Sequence, residues 1–598
     1  MLPDAPLALA LSLSFLSPLH RPTHTLTTQP SAGKPFGPDL LRKLFNSAPF
    51  FVLVPAACVT PRSTPPTSTT TTTTTTLNYK MEFRRSATCS FGLALLGLLA
   101  ATTRAAAADT ASPNDPISKP DCDSDIAVSI RYAGTTKRLY LESADGETRG
   151  GCVTLGQIWE NRAGKAPLYA VDPDSGDVSE TATGTWLLTE ELYVEDGITL
   201  KVYGTDEGGD ADELRLLSTS DTYINLRAHG GSLDFVGTKV FSWDTSTNSP
   251  DEDEDDGRSY ISAVSEIVTD EYETCEGNAK NTMGEARMDI ESSEIGYLGF
   301  QDSESYGLTW KASNFGCHVR GFCKDKSNPE IFDDVNVYGN MYDSDIHHLR
   351  FGLYTYGHQQ GDWRRNKMHD NSGYGFDPHD DSDFLTIHDN EVYNNGYHGI
   401  IASKRCNGVS IQGNEVYGGA ETSAGIFLHR SSDDAIVKGN NVHDNGDAGL
   451  AMLESFNADV SDNTFENNKY GVRMSVGCAD NVFSENTISN NSKYNAYTYL
   501  GSDEPDVVSS GRSQNNVFSQ NVFSGAEETI KIKEADGTQF LDNVFEIGDA
   551  DGLVVRFDDA MNSIMKGNTG LDVEDFELKV TNDSCFDGES DSGYEPVC

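Results

Sequence analysis

The sequence predicts an all-β protein, a right-handed parallel β-helix with a small N-terminal cap region. Three observations predict it. The first is a glycine that opens a strand at Gly352, Gly375, Gly399, Gly425, Gly449 and Gly471, with gaps of 23, 24, 26, 24 and 22 residues. The second is an asparagine set before an apolar position at Asn390, Asn414, Asn440, Asn463, Asn486, Asn521, Asn543 and Asn568, most gaps being 22 to 26 residues. A fixed period of this size marks a solenoid. The third is composition: 55 glycines, 37% hydrophobic residues and no apolar heptads, which favours short strands and turns over helices. Leucine positions do not recur, so the repeat is not leucine-rich. Asparagine at a repeated turn can stack its amide on that of the next coil and satisfy polar groups inside the fold.

The chain divides as follows. Residues 1–80 are Pro-rich in part and include the run Thr69–Thr76; they are expected to be a non-native leader or low-complexity extension. Met81 begins Met81-Glu82-Phe83-Arg84-Arg85, followed by the apolar run 91–100 and the small residues 105–108. That order of charged, apolar and small residues reads as a secretory signal peptide over 81–108, with Met81 as the expected start. The apolar run is too short to span a bilayer, so no membrane anchor is expected in the mature form. Residues 109–184 form the cap region, 185–582 the parallel β-helix, and 583–598 a C-terminal tail. Nine cysteines follow the signal. In an oxidising compartment the close pairs Cys317/Cys323 and Cys585/Cys598 are candidate disulfides. The acidic run Asp251–Asp256 reads as a solvated loop, with Ca²⁺ a candidate structural or modulating ion.

Net charge is −49. Nucleic acid is not an expected partner, because phosphate binding needs clustered Lys and Arg. If the substrate is an anion, a few cations must act locally against the field of the whole protein.

Counting from each anchor glycine gives the geometry. Adjacent coils lie ~4.8 Å apart and side chains alternate between core and solvent. Leu353, Phe376, Ile400 and Ile426 suit the core. The opposite parity carries Tyr354, Asp377, Ile401 and Phe427, then Tyr356, His379, Ser403 and His429, then His358, Asp381, Arg405 and Ser431. Asp377, His379, Asp381, His358 and Arg405 are therefore expected on one outer surface, although Pro378 can bend that strand. The same parity points Lys404 inward.

The stretch Ser372-Gly373-Tyr374-Gly375-Phe376-Asp377-Pro378-His379, followed by the acidic pair Asp380-Asp381, resembles the signature of the mannuronan C5-epimerases, the alginate epimerases of bacteria and brown algae. The resemblance covers the β-helix and says little about residues 1–184. With a secretory signal and without appended calcium-binding nonapeptide repeats, the chain resembles the brown-algal branch. The family reaction turns β-D-mannuronate into α-L-guluronate inside a polymer. It removes the C5 proton, which is hardly acidic until the neighbouring carboxylate is neutralised. A base on one face and an acid on the other then invert the centre.

Resemblance and register together suggest the roles. His379 is the leading base. Tyr374 is the opposite-face acid or base; its pKa of ~10 must fall unless it acts only as a donor. Asp377 matches the acidic residue of the motif, bonding the substrate carboxyl or orienting His379. Arg405 is the expected carboxylate neutraliser. Bacterial members often carry Ser-Arg where this chain has Ser403-Lys404-Arg405, so the choice between Lys404 and Arg405 stays open. Substrate-binding candidates are Lys404, His358, Asp381, Tyr356, Arg430, Arg350 and Lys311. No cofactor is required for this chemistry, and no metal ligand set is evident. The expected partner is an anionic polysaccharide, polymannuronate or alginate, bound by a secreted monomer of the extracellular matrix or cell wall. Competing readings are a polyuronate lyase on the same fold, a hydrolase using Asp377, Asp380 and Asp381, and a non-catalytic wall-binding β-helix.

Overall fold

The computed structural model describes residues 113–266, 284–301, 305–313, 335–526, 528–548, 553–571, 576–581 and 586–588. The 81–108 segment, both candidate disulfide pairs and the first 80 residues lie outside them. The chain divides into a unit Met1–Thr103 and a unit Arg104–Cys598; all described residues belong to the second.

Short strands of successive coils stack in parallel into three long sheets of 17, 15 and 15 strands. The glycine spacing sets the pairing. Leu353 pairs with Phe376, then Ile400, Ile426, Leu450 and Val472 in turn, and all six are fully buried. Each such side chain contributes about 1.5–3 kcal/mol on leaving water. The anchor positions need glycine for close approach: a Cβ on Gly375 would lie 2.4 Å from the carbonyl oxygen of Gly399.

The asparagines form one continuous ladder inside a turn. Nδ2 of Asn366, Asn390, Asn414, Asn440, Asn463, Asn486, Asn521 and Asn543 each donates to Oδ1 of the next, at 2.9–3.0 Å, ending on Asn568. The 35-residue step from Asn486 to Asn521 leaves the ladder intact, because the extra residues leave the coil as a loop between Tyr494–Tyr499 and Ser513–Gln514.

At the N-terminal end, Arg138–Ser143 pairs antiparallel with Val128–Ala133 and parallel with Glu191–Glu195. A short helix, Leu155–Asn161, follows. Thr154 caps it through a reciprocal capping box with Gln157, and Leu155 and Ile158 enter the core. Cys122 and Cys152 form a disulfide, while Cys406 and Cys478 are buried thiols.

Candidate active site

The motif strand is Phe376–Asp377, in the 17-stranded sheet, and the chain departs from the regular coil just after it. Tyr354 pairs with Asp377, yet Gln359 pairs with Asp383. One more residue is therefore accommodated between Asp377 and Asp383 than in the coil below. Two buried hydroxyls pin this bulge. The His379 N–H donates to Thr355 Oγ1 at 3.4 Å, and Ser382 Oγ donates to the His379 carbonyl at 2.8 Å while contacting Thr355 Oγ1. A bulge beside a site re-aims a side chain, here His379, which bridges Ser403 of the next coil.

One expectation is corrected in the coil below. Gly357 has φ +70°, which breaks the alternation of the strand, and His358 turns into the core rather than onto the outer row. It is fully buried, with its ring 6.0 Å from Trp310 and 5.4 Å from Trp363. Burial pushes its imidazole down to about 3, so it stays neutral and has no access to substrate.

A second correction concerns Lys404. Asp380 and Asp381, Lys404 and Arg405, and Arg430 and Ser431 are consecutive pairs with positive φ. The turns are held by N–H bonds from Asp381 to Lys404 O and from Arg405 to Arg430 O, at 3.1 and 2.9 Å. Left-handed backbone suspends the alternation of a strand, so neighbours can both face out. Lys404 is accordingly 43% exposed at its side chain, with Nζ 3.9 Å from Asp380. Arg405 is more engaged. Its Nε and Nη2 donate to the two Asp381 oxygens at 2.8 and 2.7 Å, and Nη2 to Asp380 at 3.0 Å. Those bonds hold its guanidinium above its usual range.

Asp377 lies under the site rather than on its surface. It is 1% exposed, and neither carboxylate oxygen has a hydrogen-bond partner. Burial raises it to about 7, with Asp380 adding and His379 and Lys404 opposing. Tyr374 stands beside it. Burial pushes the phenol above its ordinary range, with Asp377 and Tyr397 adding. His379 Nδ1 sits in an ion-pair contact with Asp380 rather than a well-directed hydrogen bond. Burial pushes the Asp380 carboxyl up, but His379, Lys404 and Arg405 outweigh it and hold it below its usual value. Burial wins at Asp381, which is raised despite Arg405.

The remaining candidates scatter. Tyr356, half-buried, has its hydroxyl pushed up by burial and by Asp380 and Asp381; Lys311 pairs with it in register one coil away. Arg350 precedes the strand of Tyr354 and Tyr356 and lies near Arg258. Arg430 is tied into a loop: it bonds Glu454 at 3.1 Å, the Glu504 carbonyl at 3.1 Å and Asp506 at 3.2 Å, and approaches Asp503. It therefore holds a wall in place and is not free to take a substrate carboxylate. The acidic run is also anchored: Asp251 accepts from Ser218 Oγ, and Glu254 from Ser372, the first residue of the motif. Among the described residues no group of three or more His, Cys, Asp or Glu is arranged to hold a metal ion.

Two neighbours escaped the sequence reading, and a third, His429, was placed in the row of His379 without a role. His398 stacks at 5.7 Å on Tyr374, and its Nδ1 accepts from the Ala424 N–H at 2.9 Å. Burial brings it to about 3, so it presents a neutral Nε2–H. Tyr397, 46% exposed, packs at 5.3 Å on Tyr374. His429, lowered to about 4 mainly by burial, bonds Ser403 Oγ at 2.9 Å. The signal for His398 was present: it precedes an anchor glycine as Tyr374 does.

The fold and this surface define a solenoid whose outer face collects a histidine, a phenol, a protonatable buried carboxyl and cations. Comparison with known proteins agrees with that class. The family described as "Right handed beta helix region" matches residues 284–416 and 352–511, which makes the solenoid right-handed. The chain is similar to the mannuronan C5-epimerase AlgG of Azotobacter vinelandii, 25% identical over 357 residues, 56% of this chain and 58% of that protein. It is also similar to a mannuronan C5-epimerase of Pseudomonas syringae pv. tomato, 29% identical over 177 residues, 29% of this chain and 31% of that protein. The chain thus spans less than two thirds of the length of either relative. Among solved structures, a point mutant of the periplasmic alginate epimerase AlgG superposes with a TM-score of 0.51 at 19% identity, over 71% of this chain and 85% of that one, a likeness of fold. No helix among the described residues is long and apolar enough to cross a membrane.

Proposed function

We propose that this protein is a mannuronan C5-epimerase, inverting β-D-mannuronate to α-L-guluronate within polymannuronate. The observation that carries the reading is Asp377: a carboxyl with both oxygens buried and unpartnered, held between Tyr374 and His379. Raised to about 7, it can carry a proton at neutral pH, so that no buried negative charge lies beneath the bound substrate carboxylate. Lys404, exposed and only loosely paired, brings positive charge to the same group. Together they lower the cost of the enolate-like intermediate.

His379 then takes the C5 proton. With Nδ1 turned to Asp380, Nε2 is the free base. Tyr374 stays protonated and delivers its proton from the opposite face, so it acts as donor only. After one turnover His379 holds a proton and Tyr374 has lost one, and exchange with solvent restores both. Arg405 positions Asp380 and Asp381 and so keeps His379 aimed. The apolar segment after Met81 supports export, with a matrix or cell-wall polyuronate of the brown-algal kind as the substrate pool.

The test is proton NMR of polymannuronate incubated with the protein and with a His379→Ala variant. Guluronate anomeric signals from the wild type alone are expected. Signals of a 4,5-unsaturated end would make the protein a lyase, and a silent spectrum from folded protein would reject both.

A further inference from the structure

The outer face of the site-bearing sheet continues well past His429. In the register of Ile401 and Phe427 the next rungs are Ala451, Arg473, Tyr497, Lys531 and Arg556. From Arg473 onward the surface changes character. Tyr470, Tyr494 and Tyr497 pack with centroids 4.9 to 5.8 Å apart. Lys493 Nζ lies 5.7 and 5.3 Å from the Tyr470 and Tyr494 rings, and Lys531 Nζ lies 5.1 Å from Tyr494 and donates to its hydroxyl at 3.0 Å. Arg473 closes the patch, bonded to the Tyr499 hydroxyl at 2.9 Å and ion-paired with Asp447 at 2.8 Å, which leaves the two lysines as its unpaired charges among the described residues. Tyr470 and Tyr494 are the buried base of the patch, and Lys493, Lys531 and Tyr497 above them are half-buried. In a chain with 93 acidic and 44 basic residues, no carboxylate among the described residues forms an ion pair with Lys493 or Lys531.

We infer that this tyrosine and lysine patch is a second polysaccharide-binding site, which holds a uronate residue of the same polymer that reaches His379. The inference rests on the polyuronate reading of the active site. Three arguments carry it. Tyr497 stacks between Tyr470 and Tyr499, so these rings offer their edges as an apolar wall for a pyranose, and the ammonium groups of Lys493 and Lys531 beside them can donate to its carboxylate. A polyanion approaching a protein of net charge −49 is repelled overall, so it can be held only where cations are gathered. The patch also shares the catalytic sheet: His379, Ser403, His429, Leu453, Ser475 and Tyr499 follow one another coil by coil. Five steps of ~4.8 Å place it about 24 Å from the base, a span a polymer bridges and a short oligomer does not. Holding the chain there after each inversion would keep the enzyme on one polymer.

The experiment is calorimetric titration of polymannuronate, and kinetics on polymannuronate and on a mannuronate trimer. It compares the wild type with a Lys493→Gln/Lys531→Gln double variant and with Tyr497→Ala, all checked for folding by circular dichroism. Polymer affinity should fall on the order of tenfold or more in the double variant, with kcat and KM for the trimer unchanged. Equal polymer affinity in all three proteins overturns the inference. A wild type that binds polymer through the patch but never inverts C5 supports the patch and removes the epimerase reading. A wild type that inverts C5, with unchanged polymer KM in the variants, does the reverse.

Discussion

Arg405 grips Asp381 with two hydrogen bonds, Nε to Oδ1 at 2.8 Å and Nη2 to Oδ2 at 2.7 Å. A third bond to Asp380 at 3.0 Å links the guanidinium to the carboxylate that faces His379. Arg405 is thereby committed to the turn, whereas Lys404 is 43% exposed and reaches Asp380 only at 3.9 Å.

The two residues should separate experimentally. Arg405→Ala is expected to cost about 1–2 kcal/mol of stability, since the half-exposed pair is lost and Asp381 keeps a buried charge. Lys404→Gln should leave stability unchanged and lower kcat/KM on the order of 100-fold. Denaturant unfolding beside epimerisation kinetics reads both; a stable Arg405→Ala protein would mean that the turn does not depend on it.

Asp377 should leave its mark on stability against pH. Its folded pKa is raised to about 7 from an unfolded value near ~3.9. Between those values the folded chain holds a proton that the unfolded chain has released, so stability falls as pH rises through the window and levels off above it. Asp377→Asn removes that slope and should be the more stable protein at pH 8, by on the order of a few kcal/mol, with the two alike near pH 4. Unfolding midpoints at several pH values check this, and parallel curves for the two proteins would refute it. Activity should decline as pH rises through about 7, where the folded carboxyl loses its proton and a negative charge appears beneath the site.

Tyr374→Phe keeps the ring that packs on Tyr397 and His398 and removes only the hydroxyl. Inversion should drop about 10²–10⁴-fold. In D₂O the variant should still exchange the C5 hydrogen of mannuronate for deuterium without forming guluronate, because His379 remains. Guluronate formation at the wild-type rate would exclude Tyr374 as the donor.

Asn414 accepts from Asn390 and donates to Asn440 and to the Ile387 carbonyl. Asn414→Ala would strand buried partners on both sides, at about 2–4 kcal/mol. Thermal or denaturant unfolding would register the loss; a change under about 0.5 kcal/mol would mean that water replaces the amide.

Arg430→Ala should release the loop it ties through Glu454, Asp503 and Asp506. Faster amide exchange is expected at Asp506 and Val507, which donate to Glu454, with the coils themselves unchanged. Undiminished protection there would mean that Glu454 holds the loop alone.

The sequence by itself determined the solenoid, its coil length and the inward row of Leu353, Phe376, Ile400 and Ile426, because a period of two within a strand and of about two dozen between coils is written in residue types. The asparagine ladder was legible for the same reason, as was the joining of Tyr374, Asp377 and His379 in one motif. Strand parity failed wherever the backbone left the strand. The left-handed Gly357 turned His358 into the core, and paired left-handed residues turned Lys404 outward beside Arg405. Only the tertiary structure decided that Arg405 is held in the turn while Lys404 stays exposed, that Arg430 serves a loop, and that Asp377 is buried without a partner. These outcomes depend on what packs above and below each residue from coils two dozen positions away, and alternation along a single strand carries no record of that.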